Sequence, residues 1–286
     1  MENVAVVCAR GLGDALLSMI VSHNLSLSRV RVTTFSSVLC ELNDWFPNHT
    51  ILPYPQKEDF EKTFSSFDTV IAADHSIVTA KHDFGNRLIV FEESQFNKSL
   101  SMAANLQEHC ASLLNLPYSE KGNGLVIPVG LSWRCFPKRV AIHPASANTK
   151  KNWPAEKYIK LGEKLEKQGF SPYFCLSPSE RKTWAGRVPK EQLPLFPTVH
   201  ELACFLFESG LMIGNDSGVG HLASALSIPT ISLFSRKSYA RLWRPGWGEN
   251  VVVAPPDILP GARLKQKYWK HLLSVRRVLR AFKKLS

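Results

Sequence analysis

Short runs of aliphatic and β-branched residues alternate along the chain with segments whose apolar positions recur at i, i+3 and i+4. The first half carries VAVVCA, RVRVTTF, DTVIAA and RLIVFE; the second carries RVAIHP, PYFCLS, LMIGN, TISLF and NVVVA. Between them residues 14–25, 100–116, 155–167 and 199–209 keep a helical period with polar outer faces. Strands alternating with helices of this length predict α/β architecture with parallel sheets and crossover helices. A stretch between Pro117 and Lys138 is rich in glycine, proline and basic residues and precedes a fresh strand. The expected organisation is therefore one Rossmann-like doubly wound domain over residues 1–130 and a second over 131–262, facing each other across a cleft where a ligand would bind.

After Gly261 the pattern changes. Residues 263–286 contain nine Lys or Arg and no acid, and Leu264, Tyr268, Leu272, Val275, Leu279 and Phe282 follow helical spacing. This predicts one basic amphipathic C-terminal helix, packing its stripe on the body and offering its other face to solvent or to an anionic membrane surface.

Composition narrows the class. In 286 residues, 44% hydrophobic and 21% charged, there is too much apolar material for disorder. No apolar run approaches the ~20 residues that span a bilayer. The opening MENVAVVCARGLGD has no basic leader and reads as a first strand, so a cytoplasmic protein is expected. Six cysteines lack C-x-x-C spacing and are expected to be buried reduced thiols, not a metal or disulfide framework. A formal net charge of +11 calls for an anionic partner. No nucleic-acid motif accompanies the charge, so a small anion or a lipid surface is the expected partner.

The chemistry concentrates in GNDSGVGHLASAL, residues 214–226, between an apolar run and a helical segment. A helix N-terminus presents unpaired N–H groups and partial positive charge, so this turn is a candidate phosphate site. Gly218 allows close backbone approach, Ser217 offers a hydroxyl, and Asp216 is an acceptor-only group better suited to sugar hydroxyls than to phosphate. His221 is either a core histidine on the first turn or a ligand contact. A second stretch, IHPASANTKKNWPAEKY (142–158), places Ser146 and Lys151 on another loop after a strand. Lys151 supplies a point charge to phosphate oxygens, while Trp153 and a Pro154 at the first helical position are read as packing and helix initiation. A third, RGLGDALLS (10–18), puts Asp14 after the first strand.

Together these stretches resemble the family 9 glycosyltransferases, the ADP-heptose:lipopolysaccharide heptosyltransferases. The family's N-D-S-G-x-x-H-L and A-L-x-x-P-T pattern is met at Asn215, Asp216, Ser217, Gly218, His221, Leu222, Ala225, Leu226, Pro229 and Thr230. The resemblance implies a GT-B fold. It also implies an inverting transfer of a heptose-like sugar from a nucleotide-diphosphate donor, ADP-heptose, to a lipopolysaccharide core or other lipid-linked saccharide at the inner membrane face. The donor residues would be Ser146, Lys151, Asp216, Ser217, Gly218 and His221, with Asp216 on the transferred sugar. Asp14 would be the general base, or else simply the cap of the first helix, with Asp74 and His75 next in line as base. No metal or other cofactor is implied, and no D-x-D or H-x-x-x-H cluster is present. Val219-Gly220, the basic Ser235-Arg236-Lys237-Ser238 loop and a short first half depart from the family pattern. A nucleotide-sugar-binding protein of this fold without transfer activity is the alternative.

Overall fold

A computed structural model describes residues 2–28, 30–72, 84–91, 93–256 and 262–286. The chain divides into two compact units, Met1–Val129 and Gly130–Ser286, each built on one five-stranded sheet. All pairings in both sheets are parallel.

In the first unit the chain runs through β1 (Asn3–Val7), α1 (Leu12–Leu27), β2 (Arg31–Phe35), β3 (Thr50–Leu52), α2 (Phe60–Ser65), β4 (Thr69–Ala72), β5 (Leu88–Val90) and α3 (Met102–Ser112). The strand order is β3-β2-β1-β4-β5. The order in which strands are added therefore reverses between the parallel neighbours β1 and β4, the switch point at which open α/β sheets bind ligands. Phe35, Phe64, Phe67 and Phe84 form the aromatic centre of one face, with the Phe35 and Phe64 rings 4.9 Å apart. β3 is absent from the sequence reading because three residues ahead of Pro53 are too few to display alternation.

The second unit runs through β6 (Phe136–His143), α4 (Ala155–Glu166), β7 (Ser171–Phe174), α5 (Pro178–Trp184), α6 (Val199–Glu208), β8 (Ser209–Asn215), α7 (Gly218–Ala225), β9 (Thr230–Leu233), α8 (Lys237–Trp243), β10 (Asn250–Val253), α9 (Ala262–Leu272) and α10 (Val275–Leu285). Its order, β10-β9-β8-β6-β7, is the flavodoxin-like arrangement with the switch point between β6 and β8. Every residue of β8 is buried, as expected of a central parallel strand covered on both faces. Glycine is required at two of its positions. A Cβ on Gly210 would overlap the Pro137 carbonyl where β6 bulges between Phe136 and Val140, and one on Gly214 would lie 2.9 Å from the His143 oxygen.

The C-terminal segment corrects the sequence reading. It forms two helices, because Ser274 caps α10 by accepting from the Arg277 N–H and interrupts the run. The break resets the helical phase: Trp269 and Leu273 face the core, while Leu264 and Tyr268, expected there, are 42% and 40% exposed. α10 buries Val275, Val278, Ala281 and Phe282, and packs on α4, β9 and β10. Cysteine burial also departs from expectation. None of the six cysteines is in a disulfide; Cys8, Cys110 and Cys175 are buried, with burial pushing each thiol up to about 12, but Cys135 is exposed.

Candidate functional site

At the switch point of the second unit, two loops leave the carboxyl ends of β6 and β8. One passes Pro144 and Ser146 into a 3-10 turn, Thr149–Lys151, and on to α4; the other is Asp216-Ser217, leading into α7. Asn215, the last residue of β8 and 1% exposed, ties them together. Its Oδ1 accepts from the Trp153 backbone N–H (3.0 Å) and the Tyr158 hydroxyl (2.8 Å), and its Nδ2 donates to the Pro144 carbonyl (2.7 Å). One buried amide thus fixes the distance between the two loops, a role that the sequence reading did not assign it. Trp153 is buried as anticipated, edge-on to Tyr158, with its indole N–H donating to the Leu273 carbonyl. Pro154 is the N-cap of α4 and not its first helical residue.

The tie brings Lys151 and Asp216 together. Lys151 Nζ donates to Asp216 Oδ2 at 2.7 Å and to the Tyr239 hydroxyl at 3.2 Å. Burial would lower the Lys151 ammonium, but the hydrogen bonds and charges of Asp216 and Tyr239 outweigh it and hold it above its usual value. Burial pushes the Asp216 carboxyl upward, and Lys151 draws it part of the way back. Both line a cavity of 230 Å³ whose other walls are Asn148, Lys150, Leu233, Phe234, Ser235, Arg236, Tyr239 and Trp269. Three cations against one acid make this space electropositive. Among the described residues, Arg236 Nε and the Oγ of Ser217, next in sequence to Asp216, are buried without a hydrogen-bond partner, so two donors stand ready for an acceptor. The sequence reading noted the charge of Arg236 but missed Tyr239 and Trp269, which come from α8 and α9 and carry no motif.

The other anticipated residues have different places. Ser146 Oγ is engaged within its own loop, with the Asn148 carbonyl at 2.9 Å and Asn152 Oδ1 at 2.6 Å. Ser146, Ser217, Gly218 and His221 are not among the cavity walls. Ser217 is the N-cap of α7 by backbone geometry, with no side-chain capping bond, and Gly218 is its first residue. His221 is 6% exposed, hydrogen-bonded to the Trp243 backbone and edge-on to Trp247. These are the surroundings of a core histidine. Burial, with the Lys151 charge, lowers its pKa from 6.5 to about 4.

A pH dependence follows from that shift. Between pH 6.5 and 4 the unfolded chain takes up a proton that the folded imidazole refuses, so stability is full above 6.5 and declines as pH falls toward 4. The His221 contribution is about 3 kcal/mol at about 1.36 kcal/mol per pKa unit. Urea unfolding at pH 7 and 4.5 should show a smaller difference in His221→Gln than in the wild type; equal differences would remove His221 as the cause.

In the first unit α1 begins at Leu12 with Gly11 as its N-cap, so Asp14 is the third helical residue and not the cap. Asp14 is exposed, and its Oδ2 folds back to 3.0 Å from where a Gly11 Cβ would stand. That places a carboxylate in the first turn after β1, at the switch point of the N-terminal sheet. Asp74 and His75 lie outside the described residues. Among the described residues no three or more His, Cys, Asp or Glu side chains gather as metal ligands, and no helix is long and apolar enough to cross a membrane.

Sequence and fold are each similar to those of known proteins. Residues 131–267 match the model of glycosyltransferase family 9 (heptosyltransferase). Lipopolysaccharide heptosyltransferase 3 of Escherichia coli is 30% identical over 127 residues, 40% of this chain and 35% of that protein. Lipopolysaccharide heptosyltransferase 1 of Pseudomonas aeruginosa is 30% identical over 102 residues, 34% of this chain and 28% of that one. The aligned part thus spans about a third of these relatives' length. Among solved structures, the E. coli heptosyltransferase WaaC with ADP superposes with a TM-score of 0.69 at 16% identity, covering 100% of both chains. A family 9 glycosyltransferase of Veillonella parvula gives 0.73 at 18%, covering 99% and 97%. The fold is that of the GT-B heptosyltransferase structures, and the second unit matches the model of glycosyltransferase family 9.

Proposed function

We propose that the protein is an inverting glycosyltransferase that moves a heptose-like sugar from ADP-heptose to a lipopolysaccharide core or another lipid-linked saccharide. The observation that carries this reading is the electropositive cavity at the β6/β8 switch point, with Lys151 paired to Asp216 and Arg236 Nε buried without a partner among the described residues. In this reading Lys151 and Arg236 meet the diphosphate oxygens, joined by the Ser217 hydroxyl and the N–H groups of the α7 N-terminus at Gly218. Asp216 keeps Lys151 aimed through Oδ2 and offers its other oxygen to hydroxyls of the sugar. Ser146 holds the Lys151 loop, and His221 holds the α7 turn from behind.

Transfer would proceed in one displacement. An acceptor hydroxyl oxygen forms a bond to the anomeric carbon as the bond from that carbon to the diphosphate oxygen breaks. The proton passes to the Asp14 carboxylate, and ADP leaves with its new negative charge met by Lys151 and Arg236. The first unit is assigned to the acceptor. Arg276, Arg280, Lys283 and Lys284 are exposed on α10 and would draw the protein to an anionic membrane at the cytoplasmic face, each worth ~1 kcal/mol near the surface. Co-sedimentation with anionic vesicles checks that part.

The test of the reaction is release of ADP from ADP-heptose, dependent on a heptose-accepting lipopolysaccharide precursor. ADP binding without turnover over a panel of acceptors would favour a nucleotide-sugar-binding protein of the same fold. Turnover with uridine diphosphate sugars alone would replace the donor.

A further inference from the structure

We infer that the last turn of α9 is a clamp that sets the position of the Lys151 loop, and that Lys157 is the positioning residue that fastens it. The inference rests on the reading of the second unit as the donor site and extends it to Lys157, Lys270 and Leu273, which are not among the cavity walls.

A helix ends with carbonyls that have no partner within it and a partial negative charge. α9 ends abruptly, because Ser274 starts α10 two residues beyond Leu272, so these carbonyls must be satisfied from elsewhere. Lys157, on α4, supplies what they need. Its Nζ donates to the carbonyls of Lys270 (2.6 Å), His271 (3.0 Å) and Leu273 (2.9 Å). Among the described residues no carboxylate is its partner, and burial lowers its ammonium, so the three carbonyls are what hold a charge at this place.

Two further bonds carry the attachment to the loop. Lys270 Nζ donates to the Thr149 carbonyl at 3.1 Å, in the 3-10 turn that ends in Lys151. The Trp153 indole donates to Leu273 at 3.0 Å on the far side of that turn. Lys151 therefore lies between two fastenings, one to α9 and one to the residue just beyond it. The same turn of α9 buries Trp269 to 1% exposure and makes it a wall of the cavity. An apolar residue at 157 could fill the same space against Trp153 but could not bind the carbonyls, so the clamp needs a cation that donates in several directions.

Coupling between a clamp and a ligand site is reciprocal and typically worth a factor of about 5 to 150 in affinity. In the full chain, well below its melting temperature, Lys157→Met should bind ADP on the order of tenfold more weakly than the wild type. Lys157→Arg, which keeps charge and donors, should recover most of the affinity. Without ADP, amide exchange across Thr149–Lys151 should speed up in the Met variant and stay near wild type in the Arg variant. Wild-type ADP affinity in Lys157→Met, or an Arg variant as weak as the Met variant, would overturn the inference. If the wild type itself does not bind ADP, the donor reading fails and the coupling to it falls too. The exchange measurement then reports separately whether the clamp orders the loop, and unchanged exchange in Lys157→Met removes the clamp as well.

Discussion

Asn215→Ala should lower the unfolding free energy of the second unit by about 4 kcal/mol. The substitution removes three hydrogen bonds within a 1%-exposed site and leaves the Tyr158 hydroxyl, the Trp153 N–H and the Pro144 carbonyl without that partner. Each buried polar group left unsatisfied costs about 1–3 kcal/mol, and the cavity adds to it. Asn215→Asp separates the terms. Its carboxylate still accepts from Tyr158 and Trp153, but it turns an oxygen toward the Pro144 carbonyl in place of a donor and buries a charge. Denaturant unfolding should rank both variants well below the wild type; a loss under about 1 kcal/mol in Asn215→Ala would mean that the two loops are held by something else.

The second large effect is on rate. Asp14→Asn should slow transfer by about 10²- to 10⁴-fold, the usual worth of general-base assistance, with ADP-heptose affinity nearly unchanged. The amide keeps size and shape in the first turn of α1 but cannot take a proton at neutral pH. Losing a negative charge near a helix N-terminus costs about 0.3–1 kcal/mol of stability, too little to account for such a change in rate. Steady-state kinetics at saturating donor, with melting measured in parallel, makes the check. A fully active Asn variant would leave Asp14 with a helix-terminal role alone.

Much of the fold was legible because its signals are local. The strands around VAVV and LMIGN are apolar runs bounded by glycine or polar turns, and the crossover helices keep their period. The α5 helix, missed in the periodicity, announces itself by another local signal, the S-x-x-E capping box at Ser177 and Glu180. The C-terminal break was not legible from apolar spacing, since Leu264, Tyr268 and Leu272 fit a continuous stripe equally well. Only the packing of Trp269 and the capping at Ser274 decide the phase.

The site divides along the same line. Asp216, Ser217 and Lys151 stand in compact motifs after strands, where the physics of helix termini and short polar turns points to an anion. Tyr239 and Trp269 reach the region from α8 and α9, and nothing in their immediate sequence marks them; Lys157 lies inside the 142–158 stretch, but its partners at Lys270, His271 and Leu273 are far away in the sequence. Asn215 was visible as part of a motif, but its work is done through Pro144, Trp153 and Tyr158, partners between 57 and 71 residues away. His221 shows the opposite case: a motif residue whose surroundings are those of the core.

The most direct measurement of the donor site is calorimetric titration of ADP into the wild type and into Lys151→Ala. The wild type should bind ADP at one site, more tightly than UDP. Lys151→Ala should bind about tenfold or more weakly, because a charge-assisted hydrogen bond is lost and Asp216 is left unpaired beside the diphosphate. Absence of ADP binding in the wild type, or equal affinity in the two proteins, would contradict the assignment of this cavity to the nucleotide diphosphate.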